Sequence, residues 1–220
     1  MNLGVGMCRA FETDHEEATH QPSSPENSAM THRQLEQLLR MTLGSLPQRS
    51  TAHAAHCPSC LRVSVEPQAR WRAARALVRP SEVRDLFHSV PNFLLPPDYS
   101  VAGTVAQWLR GSFARGSLRY RPDPPGTDIW CSPAATRRAG GGDCDDLAIL
   151  GASMIAYAGA APQVAIGYHC DGRSCSGHAW VEGHDGQGWF LLEGTSGQLY
   201  RFFRPQGYAL KQLIQPATMP

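Results

Sequence analysis

The chain has 220 residues, enough for one well-buried domain with some chain left over. Twenty Lys and Arg against nineteen Asp and Glu leave a formal charge of +1, so no broad field of either sign gathers nucleic acid or anionic lipid. A hydrophobic share of 42% with 17 prolines and 21 glycines excludes collagen, coiled coil and a wholly disordered chain, and predicts a globular protein with a loose polar appendage.

Residues 1–30 are rich in Glu, Ser, Pro, Thr and His and bury too little to offset their ordering entropy, so a disordered polar tail is predicted. The first 13 residues carry no basic segment followed by a long apolar one, hence no secretory signal, and a cytoplasmic location is expected. Residues 31–60 read as an amphipathic helix with Leu35, Leu38, Leu39 and Leu46 on one face, then a linker. That face is expected to pack on the domain or on a partner protein. Residues 61–97 read as a helical extension, with helices over 68–77 and 81–88.

The main folded domain is expected over 98–220. Ser100 suits an N-cap, and Val101, Val105, Trp108, Leu109 and Phe113 fall on one helical face behind it. A Pro-rich loop at 121–126 leads to Trp130, and Gly140, Gly141 and Gly142 read as a flexible hinge before Asp143-Cys144-Asp145-Asp146. Residues 147–158 are apolar nearly all round, as a helix in mid-core would be. The uncharged stretch 147–168 is long enough for a bilayer, but Gly159-Ala160-Ala161-Pro162 breaks it, so no membrane span is predicted. Strands are expected over 163–169, 178–184, 189–193 and 199–203. A central helix followed by strands predicts an α+β domain with an antiparallel sheet.

Cys144 stands in the first turn of its helix behind Asp143 as cap, where free amides and the helix dipole favour a thiolate. Asp143 and Asp145 flank it and push the other way, so an imidazolium is needed nearby. His178 is the candidate base. A two-residue turn at Asp185-Gly186 puts it directly opposite Glu193, with Cβ atoms roughly 4.5–5.5 Å apart. A loop running from Asp185 to Gly188 sets it opposite Thr195 instead. A carboxylate on one ring nitrogen leaves the other for a thiol.

Three phrases carry a resemblance. Gly-Gly-Asp-Cys-Asp-Asp at 141–146, Gly-His-Ala-Trp-Val-Glu at 177–182 and Trp-Phe-Leu-Leu-Glu-Gly-Thr at 189–195 look like the motifs of the transglutaminase-like superfamily. Asp-Ile-Trp-Cys-Ser-Pro at 128–133 is most like its bacterial cysteine proteinases. The resemblance implies a papain-like core in which Cys144, His178 and Glu193 form a catalytic triad, with Glu193 where Asp is usual. It implies acyl transfer through a thioester on a protein or peptide substrate: a cysteine peptidase first, a protein-glutamine transglutaminase or deamidase as alternatives, a silent peptide-binding module as a third.

Trp130 is a candidate oxyanion donor through its indole nitrogen, although packing is the preferred role. No cofactor is required. Asp143 and Asp145 are where similar proteinases bind calcium, against which capping is preferred. Seven cysteines are too dilute for a disulfide scaffold, which argues for a reducing compartment or a thiol with a task. Cys57, Cys60, Cys170 and Cys175 could give four thiolates to zinc, but free thiols are preferred. Alternatively Cys170 and Cys175 close a small disulfide ahead of His178. His169 and His184 read as surface residues at strand ends.

Overall fold

The computed structural model describes residues 59–64, 66–87 and 100–217. The predicted polar tail, the helix over 31–46 and Cys57 lie outside them. The order is β1 (Cys60–Arg62), α1 (Pro67–Leu77), a 3₁₀ helix (Pro80–Leu86), α2 (Val101–Ala114), β2 (Arg119–Tyr120), β3 (Ile129–Cys131), α3 (Pro133–Ala139), β4 (Gly141–Gly142), α4 (Cys144–Tyr157), then β5 (Ala161–Cys170), β6 (Cys175–Asp185), β7 (Gly188–Glu193), β8 (Gln198–Arg201) and β9 (Tyr208–Ile214).

The last five strands form one sheet in the order β8-β7-β6-β5-β9, antiparallel throughout. On one face Val164, Ile166, Ala179, Val181 and Leu192 join the core around α4, whose Leu147, Ile149, Leu150 and Ile155 are fully buried. Each such aliphatic side chain contributes about 1.5–3 kcal/mol by leaving water. The all-round apolar pattern of α4 follows: α2 and the 3₁₀ helix cover the sides the sheet leaves open. The other face carries Ala165, Trp180 and Leu191, packed by Trp189, Tyr200, Tyr208 and Leu210.

α2 begins where Ser100 predicts. Its Oγ accepts from the Gly103 amide at 2.8 Å, and Asp185 Oδ2 accepts from the Ala102 amide at 2.9 Å. Arg201 donates to both Asp185 oxygens, at 2.7 and 2.9 Å, and also to Ser100 Oγ, tying the β6–β7 turn to the helix.

Four expectations are corrected. The glycine run is not a hinge: Gly140 caps α3, a helix the sequence reading passed over, and Gly141–Gly142 pair in parallel with Arg119–Tyr120. A Cβ on Gly141 would lie 1.9 Å from the Arg119 carbonyl, so close backbone approach requires glycine there. The helix expected over 81–88 is a 3₁₀ helix ending at Leu86. A fifth strand, β9, joins the sheet beside β5. Finally, Cys60 is bonded to Cys131 and Cys170 to Cys175. These pairs remove the four-thiolate zinc set and the free thiols, and leave Cys144 as the free cysteine among the described residues.

Candidate active site

Cys144 opens α4, with Asp143 at the N-cap position. The short β2–β4 pair fixes the approach to the helix, so the thiol sits beside the unsatisfied amides of its first turn. Asp143 holds the N-cap position, and the amides of Asp145 and Asp146 partly offset the burial that raises its carboxyl. Asp143 Oδ1 and Asp145 Oδ1 are buried without a partner. Burial, with neighbouring negative charge, raises Asp145 well above the carboxylate range and Asp146 to about 8. Asp146 has a structural task, since its Oδ1 accepts from the Cys131 amide at 2.6 Å and joins β3 to the helix.

His178 stands on β6 with Trp180 and the buried Glu182 on the same face, two and four residues on. Trp180 donates to Glu182 Oε1 at 2.7 Å, and Arg204 grips both oxygens of that carboxylate at 2.7 and 2.8 Å, so this face is closed by a fully paired charge. The ring of His178 meets Glu193 at 2.7 Å, Nε2 to Oε2, and Cys144 lies near enough to act on its protonation. Burial alone would lower its pKa; the interactions with Cys144 and Glu193 outweigh that and carry it to about 10. Glu193 would be raised by burial, but His178 and Thr195 hold it below the usual range.

The hairpin takes the second of the two registers. Asp185 pairs with Gly188, Gly186 and Gln187 form the turn, and the ladder runs through Val181–Leu192. His178 therefore reaches Glu193 diagonally. Thr195, which the register sets opposite His178, instead holds the carboxylate: its amide and hydroxyl donate to Glu193 Oε1 at 3.0 and 2.7 Å.

Trp130 does not serve as an oxyanion donor. It is 2% exposed, and its indole N–H donates to Asp128 Oδ1 at 2.6 Å. His184 is exposed, as expected, but His169 is not a bystander: its ring lies 5.5 Å from His178 and 4.6 Å from Tyr208. Sequence reasoning missed Tyr208, whose hydroxyl donates to Glu193 Oε2 at 2.9 Å. The Tyr-Ala-Leu-Lys-Gln-Leu-Ile run at 208–214 alternates only weakly, with Gln212 at a half-buried position and Leu213 at an exposed one, so little in the sequence marks the strand. It also missed Tyr120, opposite Gly142, whose hydroxyl is pushed up to about 12 by burial and by the charges of Cys144, Asp143 and Asp145.

Sheet, helix and side chains thus define an α+β protein in which an imidazole paired with a carboxylate stands near the thiol that opens α4. The model of the transglutaminase-like superfamily matches residues 94–194, and over that segment the chain is similar to the superfamily. Comparisons with curated proteins and with solved structures give no match. Among the described residues no helix is long and apolar enough to cross a membrane.

Proposed function

We infer that the protein is a thiol-dependent amide hydrolase or acyltransferase, with Cys144 as nucleophile, His178 as general base and acid, and Glu193 as the carboxylate that orients the ring. The observation that carries this reading is the imidazole of His178, held by Glu193 at 2.7 Å and raised in pKa by the neighbouring Cys144. The likeness to the superfamily supports cysteine-dependent chemistry, because its members are typically enzymes of acyl transfer or hydrolysis.

The steps follow from the groups present. The Cys144 thiolate attacks an amide carbonyl, and the Cys144 amide at the helix N-terminus stabilises the oxyanion that forms. His178 gives its proton to the departing amine as the C–N bond breaks, leaving a thioester. Water or a second amine then attacks, His178 takes the incoming proton, and the thiolate is released. Glu193 keeps the ring in one tautomer and stabilises its charged form.

Proteolysis is the preferred reaction, on the likeness of the 128–133 phrase to bacterial cysteine proteinases. No cofactor enters these steps. The orphaned carboxylate oxygens of Asp143 and Asp145 fit a hard cation. Calcium there would be held by those two residues and would offset negative charge beside the thiol.

A peptide-library incubation read by mass spectrometry, with and without a primary amine, tests the reading. Cleaved backbone is the expected product. A one-dalton gain at Gln marks deamidation, and amine incorporation marks transglutamination. No product from any peptide, with a thiol no more reactive than free cysteine, favours the binding module.

A further inference from the structure

Glu193 is 6% exposed, and each of its oxygens accepts twice. Thr195 fills Oε1 through its amide and hydroxyl; His178 Nε2 and the Tyr208 hydroxyl share Oε2 at 2.7 and 2.9 Å. We propose that Tyr208 is a positioning residue: its hydroxyl fixes the rotation of the Glu193 carboxylate so that Oε2 stays on the His178 ring. The proposal rests on the reading of Cys144, His178 and Glu193 as the reacting series.

The placement argues for this task. Thr195 follows Glu193 by two residues and can move with it, whereas Tyr208 comes from β9, on the far edge of the sheet, and supplies a fixed point. Its ring is held by Trp180 edge-on at 5.2 Å, by His169 at 4.6 Å and by Tyr200 at 6.2 Å. β9 also lies beyond residue 194, where the superfamily match ends, so this anchor belongs to a part of the chain the match does not cover.

Without the hydroxyl, Oε2 keeps one donor, and the carboxylate loses its anchor on β9. The titratable groups facing this pair are Cys144 from α4, His169 from β5 and Tyr200 from β8. The hydroxyl itself stays protonated, because burial and the Glu193 charge both raise it above the ordinary phenol range.

The test uses iodoacetamide at one fixed pH on the full chain. Wild type is first compared with His178→Ala. If the two alkylate at the same rate, the reading of the site fails and the role of Tyr208 fails with it. If wild type is faster, Tyr208→Phe decides the proposal, since phenylalanine keeps the ring packing. Alkylation about tenfold slower is expected, the scale of one hydrogen bond to a charged group. In a Glu193→Gln background the same change should cost less than about twofold, because the partner charge is already gone. A proton NMR measurement on histidine-labelled protein should show the His178 Nε2 proton moved and exchanging faster in Tyr208→Phe. Wild-type alkylation in Tyr208→Phe, an equal loss in both backgrounds, or an unmoved Nε2 proton would each overturn the proposal.

Discussion

Glu193 holds His178 across a diagonal of the β6–β7 ladder. Continuing the register one step past Val181–Leu192 puts Trp180 directly opposite Glu193, yet the bond to His178 measures 2.7 Å. Diagonal neighbours in a sheet stand about 7–8 Å apart, a span that rewards a long side chain. Glutamate is one methylene longer than the aspartate usual at this motif, so it reaches where aspartate stops short. Glu193→Asp is expected to slow iodoacetamide alkylation of Cys144 by about tenfold or more, since small misplacements of a catalytic group are costly. A wild-type rate would show that the reach is not needed.

The His178–Glu193 pair should stabilise the fold in a defined pH window. His178 rises from 6.5 to about 10 on folding, so its contribution is complete below about 6.5 and fades as pH climbs through 10. Glu193 falls from 4.5, so its contribution is complete above about 4.5 and fades as pH drops. Thermal melts of wild type and Glu193→Gln should therefore differ most between about pH 4.5 and 6.5 and converge towards pH 10. A constant difference across that range would contradict the pairing.

Asp146 should act in the opposite sense. Burial raises it from 3.8 to about 8, so the folded state loses stability as pH rises between those values. Asp146→Asn keeps an acceptor for the Cys131 amide and removes the charge. Melts in chelator should match wild type near pH 4 and lie above it at pH 8. A variant no more stable at pH 8 would rule out the buried charge as a cost.

The two disulfides should differ in weight. Cys60–Cys131 closes 71 residues and ties β1 to β3, whereas Cys170–Cys175 closes 5 at the tip of the β5–β6 hairpin. Chain entropy assigns about 4 kcal/mol to the longer loop and about 2 to the shorter. Calorimetry of Cys60→Ser with Cys131→Ser should show the larger drop in Tm, and the reverse order would mean that native-state packing dominates.

Much of this arrangement was legible in the sequence because it rests on local rules. Ser100 caps α2, the all-apolar run marks α4 as central, and short apolar runs between turn residues mark β5, β6 and β7. The site residues carried their chemistry in their own motifs. What escaped was long-range. The turn slipped because Asp185 serves as a ladder residue bound to Arg201 and α2, a demand no hairpin rule contains. Cys131 gave no sign of its partner 71 residues away, and Tyr208 reaches Glu193 only through the placement of β9 at the far sheet edge.

The most direct measurement is the rate of Cys144 alkylation by iodoacetamide near pH 6 in wild type, His178→Ala and Cys144→Ala, with the labelled residue located by mass spectrometry. An imidazolium held up to about pH 10 favours attack by the sulfur beside it, so wild type should react at Cys144 far faster than His178→Ala, and Cys144→Ala should lose that fast label. Equal rates in wild type and His178→Ala would contradict the account.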